Sequence, residues 1–163
     1  MKIIMFNDRY CLTRAVIEGR KPITRRIEGG ERFQLAADLA VKIEHESITN
    51  CFILTDKDGA TFVQPLRYKI GEIVAVAQSY KNAGLDPTQY IANGDGYQLI
   101  GKHGGWRNKM YVKAELMPHR IRITNVRCER LQDISDDGCL KEGIRYVPEI
   151  DKFYFEDVRR EEA

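Results

Sequence analysis

The segment from Gly19 to Arg26, Gly-Arg-Lys-Pro-Ile-Thr-Arg-Arg, groups four cations around one hydroxyl, that of Thr24. Neighbouring cations repel one another, so a chain keeps such a cluster either as a solvated face or to meet an anion. Arginine favours phosphate as that anion, because its guanidinium presents donors in pairs to two oxygens. The segment therefore predicts a phosphate contact, with a basic solvated turn as the alternative.

The chain as a whole carries little net charge, formally +2 over 163 residues. No overall field draws it onto a nucleic acid or a membrane, so any such binding must come from a local patch. The basic residues do concentrate in two places. They are Arg14, Arg20, Lys21, Arg25 and Arg26 in the first half, and Arg120, Arg122, Arg127 and Arg130 in the second.

The four cysteines are far apart and form no Cys-x-x-Cys pair, which argues against a zinc ribbon or a redox pair. The three histidines lack the spacing of a zinc site on a helix, so we expect neither a metal nor a cofactor. The first residues are too short an apolar run for a signal peptide, and no segment approaches the roughly 20 apolar residues of a membrane span. We therefore expect a cytoplasmic protein that contacts no membrane.

Short strands mixed with short helices favour one α+β domain over residues 1–163, barrel-like rather than doubly wound. A helix capped by Asn7 or Asp8 should end at Gly19. Residues 79–116 are predicted to be a loop-rich excursion. The other predicted helices cover residues 33–43 and 138–142, with Ser135 capping the latter. The predicted strands cover residues 2–6, 51–55, 60–63, 73–77, 97–100, 120–130 and 153–155.

Three stretches in order, residues 16–26, 68–76 and 117–134, resemble the ASCH domains of the PUA-like superfamily. The resemblance is strongest to phage and prophage members that are described as morphogenesis proteins. It implies a small pseudo-β-barrel with short helices packed at its openings, and a cleft beside the first helix. It covers residues 3–145 and is weak over 79–116. Relatives continue with a further helix and strand, so a shortened C-terminus is expected.

The resemblance implies binding of RNA or a modified nucleotide in that cleft. One branch resembles an acetylcytidine amidohydrolase that uses a lysine, a threonine three residues later and a glutamate. Lys21 and Thr24 match the first two positions, as base and nucleophile. Arg122 stands where the carboxylate is expected, and Gln78 replaces a second acid. Binding without catalysis is therefore the first hypothesis, and hydrolysis of an N-acylated cytidine is the alternative.

The predicted contacts divide by chemistry. Thr24 would meet a base or sugar, and Trp106 would either stack on a base or cover the end of the barrel. The remaining predicted nucleic-acid-binding residues are Arg20, Lys21, Arg25, Arg26, Gln78 and Arg122. Single-stranded RNA or a modified nucleotide is the expected ligand, with a second copy of the chain and a phage protein as further expected partners.

Overall fold

A computed structural model describes residues 1–26, 30–86, 104–129 and 133–154. The chain forms two compact units, the first from Met1–Ile23, Ile73–Ile121 and Asp136–Ala163, and the second from Thr24–Glu72 and Arg122–Ser135. The described strands form three small sheets beside a few short helices, so the α+β class is confirmed. The prediction of one domain stays a prediction.

The first unit is built on a central apolar strand. Strand β5 (Ile73–Val76) pairs in parallel with β1 (Ile3–Ile4), and β6 (Arg120–Arg122) lies on its other side. Val74 to Ala77 are completely buried, as the unbroken apolar run predicts. The core that packs beside this strand consists of Ala75, Ala77, Tyr80, Val112, Ala114 and Met117.

Residues close in sequence determine where the first helices of the first unit begin and end. Asn7 accepts the N–H of Arg9 at 3.0 Å and caps a short 3-10 helix, Asp8–Tyr10, which leads into α1 (Leu12–Ile17). Gly19 follows α1 with φ +75°, the left-handed conformation in which glycine commonly ends a helix, so that prediction is confirmed.

One short helix and two short strands follow in the first unit, whose described part also contains 3-10 helices at Lys109–Tyr111, Ala114–Leu116 and Pro148–Ile150. Helix α3 spans Asp136–Leu140, two residues earlier than predicted, because Asp136 and Asp137 occupy its first turn instead of preceding it. Strands β7 (Arg145–Val147) and β8 (Lys152–Tyr154) then form an antiparallel pair. The predicted last strand is thus confirmed as far as Tyr154.

The second unit contains a helix and a three-stranded antiparallel sheet. Helix α2 (Gly30–Leu39) precedes β2 (Ala40–Glu46), β3 (Cys51–Asp56) and β4 (Thr61–Pro65), in the order β2-β3-β4. The predicted hairpin between β3 and β4 is confirmed. A carboxylate oxygen of Asp56 accepts the N–H groups of Asp58 and Ala60, each at 2.9 Å, and Gly59 supplies φ +82°.

The predicted ends of one helix and one strand are wrong. The helix expected over residues 33–43 ends at Leu39, because the β-branched Val41 and Ile43 belong to β2, where Ile43 pairs with Leu54. The strand expected over residues 120–130 ends at Arg122. Ile123 still exchanges main-chain hydrogen bonds with Gly71 and Glu72, but the residues after it have polar side chains on both faces and do not continue the ladder.

The strand predicted at residues 97–100 lies outside the described residues. Within the described ranges, no helix combines the length and the apolar character that crossing a membrane requires.

Candidate functional site

Lys21 is a buried cation in the first unit. Its main-chain N–H donates to the carbonyl of Ala15 at 3.1 Å, which fixes the chain as it leaves α1. The side chain is 2% exposed, and its ammonium donates to the main-chain carbonyl of Glu142 at 2.8 Å and to the Glu142 carboxylate. The charge of Lys21 is therefore neutralised inside the unit by a partner 121 residues away.

The chain around Glu142 is shaped to receive that lysine. Glu142 follows α3, and the next residue, Gly143, has φ +88°. A Cβ on Gly143 would lie 3.4 Å from the Cβ atoms of Ala15 and Lys21, so the two segments pack closely. Sequence reasoning missed Glu142, because nothing local links an acid after one short helix to a lysine after another.

Arg20, beside Lys21, is bound to an acid of its own helix end. Its Nη2 lies 2.7 Å from one carboxylate oxygen of Glu18, while Nε of Arg14 lies 2.7 Å from the other. Hydrogen bonds from Arg14 and Arg20 lower the pKa of Glu18, because both stabilise its charged form. The Arg20 side chain remains 32% exposed, so it still faces solvent.

The side chain of Gln78 has a hydrogen-bond acceptor that is without a donor in the described part of the chain. It follows the buried run of β5, and its main-chain N–H donates to the sulfur of Met117 at 3.3 Å. The side-chain oxygen Oε1 is buried and accepts no hydrogen bond from any described residue. A buried acceptor of this kind costs about 1–3 kcal/mol when it stays unmatched, so we expect a donor from outside the described residues to meet it.

Trp106, the predicted stacking residue, is half-buried against the core of the first unit. Its main-chain carbonyl accepts the N–H of Lys81 at 3.2 Å, and that of Gly105 accepts the N–H of Tyr80 at 2.8 Å. The side chain of Trp106 thus packs against the core, while its stacking on a base and its position at the end of a barrel stay predictions.

The second unit holds the other predicted contacts. Arg25 donates through Nε to the carboxylate of Glu129, whose second oxygen lies 3.2 Å from Arg127. Thr24 and Arg26 are exposed. Arg122 is exposed as well and donates to the carbonyl of Gly71 at 3.3 Å. Glu129 thus binds two arginines here.

A second, partly buried polar cluster in the first unit was not predicted. The ammonium of Lys109 lies 2.8 Å from a carboxylate oxygen of Asp8 and 3.4 Å from the hydroxyl of Thr13, and it also donates to the carbonyl of Phe6. Thr13 in turn donates to Asp8. All polar atoms named here have partners, so the cluster ties the start of α1 to the 3-10 helix Lys109–Tyr111.

Among the described residues, no three His, Cys, Asp or Glu side chains come together as metal ligands do. No family model matches the chain, and searches of curated proteins and of solved structures found no match either.

Proposed function

We propose that the chain binds a nucleotide or a short single strand of RNA, and that it does so without chemistry. The observation that carries the proposal is the buried, unmatched Oε1 of Gln78. A side-chain amide offers an acceptor and a donor side by side, which is the pattern that hydrogen-bonds the edge of an unstacked base. The amine of a base is a donor that would satisfy Oε1.

Charge neutralisation within each unit limits the contacts available to phosphate. Lys21 is held by Glu142 and Arg25 by Glu129, so neither cation meets an anion without first leaving a carboxylate. The contacts that we propose to phosphate are chosen by exposure: Arg20 in the first unit, which is 32% exposed although it pairs with Glu18, and the exposed Arg26 and Arg122 in the second, each considered by itself. So few contacts favour a nucleotide or a short strand over a long backbone.

The resemblance of residues 16–26, 68–76 and 117–134 to ASCH domains supports the same proposal. With it we propose the finer features that the resemblance implies, namely a PUA-like pseudo-barrel, a cytoplasmic location and a phage protein as a partner. These features rest on the motifs alone. The fold class by itself hosts many functions.

Calorimetric titration with the four 5′-nucleoside monophosphates and a short single-stranded RNA tests the proposal. Gln78→Leu removes the acceptor at nearly the same size, so we expect about tenfold or greater loss of affinity together with unchanged or increased stability, since no unmatched acceptor stays buried. Gln34→Leu changes an exposed glutamine of α2 and serves as the matched control. Equal affinity of wild type and Gln78→Leu would remove Gln78 from the account.

The Lys21–Glu142 pair favours a second candidate, hydrolysis of an N-acylated cytidine. The sequence left Lys21 without the carboxylate that this chemistry needs, and Glu142 supplies one. The Glu142 carboxylate can take the proton of a hydroxyl as a general base, and the Lys21 ammonium beside it can stabilise the negative charge that develops in the reaction. Thr24, three residues after Lys21 in the chain, is the candidate nucleophile.

Turnover of N4-acetylcytidine distinguishes the two candidates. Release of acetate by the wild type, with loss of that activity in Thr24→Ala, would establish the hydrolase. Thr49→Ala, which alters a hydroxyl in the second unit that donates to Glu46, is the control for general damage. Nucleotide binding without acetate release would leave the binding function as proposed.

A further inference from the structure

Strand β2 is an edge of the second unit's sheet. It is the longest described strand, with seven residues from Ala40 to Glu46, and in the described part of the chain its only strand partner is β3, with which the register shifts between Ala40 and Lys42 and is regular from Lys42 to Glu46. The main-chain groups on its other side face outward, as on any edge strand, and form a template for another strand. Val41 is 70% exposed and Ile43 38% exposed, so this edge also presents apolar side chains to solvent.

The charges on β2 are arranged so that the strand complements itself. Lys42 and Glu44 project from the same face, 62% and 53% exposed, and their charged groups lie 2.9 Å apart. In an antiparallel pair of two identical strands centred on Ile43, Lys42 lies opposite Glu44 of the other copy, and Glu44 opposite its Lys42. Both charge pairs are favourable, and the two Ile43 side chains meet at the centre.

The same charges disfavour the neighbouring registers. Residues that lie directly opposite each other in an antiparallel pair point to the same face of the sheet. A symmetric pair of identical strands is therefore centred on one residue, and the registers next to the one centred on Ile43 are those centred on Lys42 and on Glu44. The first places the two lysines opposite each other and the second the two glutamates, and like charges directly opposite destabilise a pair. A lysine alone would disfavour only the register centred on itself. The sequence Lys-Ile-Glu disfavours the registers centred on Lys42 and on Glu44 and favours the one centred on Ile43.

We propose that the chain forms a two-fold symmetric dimer by antiparallel pairing of β2 with β2 of a second copy, in the register centred on Ile43. The other edge strand, β4, is shorter and ends in Pro65, which has no N–H to donate. The exposed Leu39, which immediately precedes β2, and the exposed Val41 add apolar surface next to the pairing. The partner is therefore a second copy of this chain.

Sedimentation analysis of the full chain over a range of concentrations tests the proposal. It compares the wild type with two single charge reversals and with the double reversal. The wild type should be a dimer. Lys42→Glu and Glu44→Lys each place like charges opposite each other, and each should raise the dimer dissociation constant about tenfold or more. The double variant Lys42→Glu with Glu44→Lys restores complementarity and should restore the dimer. Since both positions are exposed, these variants keep the fold of the protomer.

A cross-link reports the register directly. Ile43→Cys places two thiols opposite each other, so oxidation should yield a covalent dimer whose linked peptide, read by mass spectrometry, joins residue 43 to residue 43. Glu44→Cys faces Lys42 of the other copy and should not link to itself. A monomeric wild type, single charge variants as dimeric as the wild type, or linkage at position 44 instead of 43 would each overturn the proposal.

Discussion

The ammonium of Lys21 is bound twice by Glu142, through its carboxylate and, at 2.8 Å, through its main-chain carbonyl. The composition of the segment from Gly19 to Arg26 predicts cations that can meet an anion, but this contact holds the lysine of that segment in an internal ion pair. The lysine at the centre of the segment is an internal ion pair that joins the ends of α1 and α3. The contacts proposed to phosphate are arginines on either side of it.

Removing one partner of the pair should be costly. Glu142→Gln keeps the shape but leaves the Lys21 ammonium, 2% exposed, without its counter-charge, and we expect a loss of about 3–5 kcal/mol in the free energy of unfolding. Adding Lys21→Met to this variant should recover part of the loss, because no unpaired charge then remains buried. Urea unfolding of the single and double variants measures the coupling. Glu149→Gln, an exposed acid of the same unit, should change stability by no more than about 0.5 kcal/mol.

If Glu142→Gln were as stable as Glu149→Gln, the pair would not contribute in this way. The pair would also fail this test if the effects of Glu142→Gln and Lys21→Met on the free energy of unfolding were additive. Residues in direct contact normally show a coupling free energy of about 0.5–3 kcal/mol.

Gly105 is predicted to tolerate no side chain. A Cβ at this position would lie 2.6 Å from the ring of Tyr80 and 2.7 Å from a methyl carbon of Val112, both buried in the core of the first unit. Gly105→Ala should therefore lower the free energy of unfolding by about 1–3 kcal/mol through overpacking. Thermal unfolding measures the loss.

A second substitution, which makes room beside residue 105, tests whether overpacking causes the loss. Val112→Ala alone should destabilise the core by creating a cavity. In combination with Gly105→Ala it should cost less than the sum of the two changes, because one methyl group then takes space that the other vacated. Strict additivity would rule out the close contact with Val112 as the cause.

The thiol of Cys128 should react slowly at neutral pH. Burial, and to a smaller degree the negative charge of Glu129, raise its pKa above the ordinary value, so the reactive thiolate is scarce. Alkylation at Cys128, followed by mass spectrometry of its peptide, should accelerate with pH and still be accelerating above about pH 9. Glu129→Gln removes the charge and should shift the rate profile to lower pH.

A rate at Cys128 that levels off below about pH 8.5 would contradict the raised pKa. An unchanged profile in Glu129→Gln would leave burial as its only cause. Because alkylation at each of the four cysteines is read from its own peptide, reaction elsewhere does not confuse the result.

Local chemistry explains which parts of the fold the sequence could predict. The hairpin turn at Asp56 and Gly59 and the end of α1 at Gly19 depend on residues within a few positions, and both predictions are confirmed. The helix predicted to continue to Ile43 failed, because pairing with Leu54 of β3 favours an extended chain there. Helical periodicity carries no information about that partner.

The candidate site shows the same division. The sequence identified Lys21 and Arg25 as cations, but their partners Glu142 and Glu129 lie 121 and 104 residues away. Only tertiary structure brings these charges together, so composition overstated the cations available to an anion. The unmatched oxygen of Gln78 was equally invisible, since whether a polar atom finds a partner depends on what packs around it.

The most direct test of the central claim is the salt dependence of binding to a labelled single-stranded RNA, followed by fluorescence anisotropy between about 50 and 200 mM salt. With contacts to only one to three phosphates, the account predicts a slope of log affinity against log salt of about −1 to −2. Arg26→Ala and Arg122→Ala should each reduce it by about 0.7, and the double variant Lys21→Met with Glu142→Gln, which leaves no unpaired charge buried, should leave it unchanged. Absence of binding by the RNA and by every nucleotide at the lowest salt, or loss of the slope in that double variant only, would contradict the account.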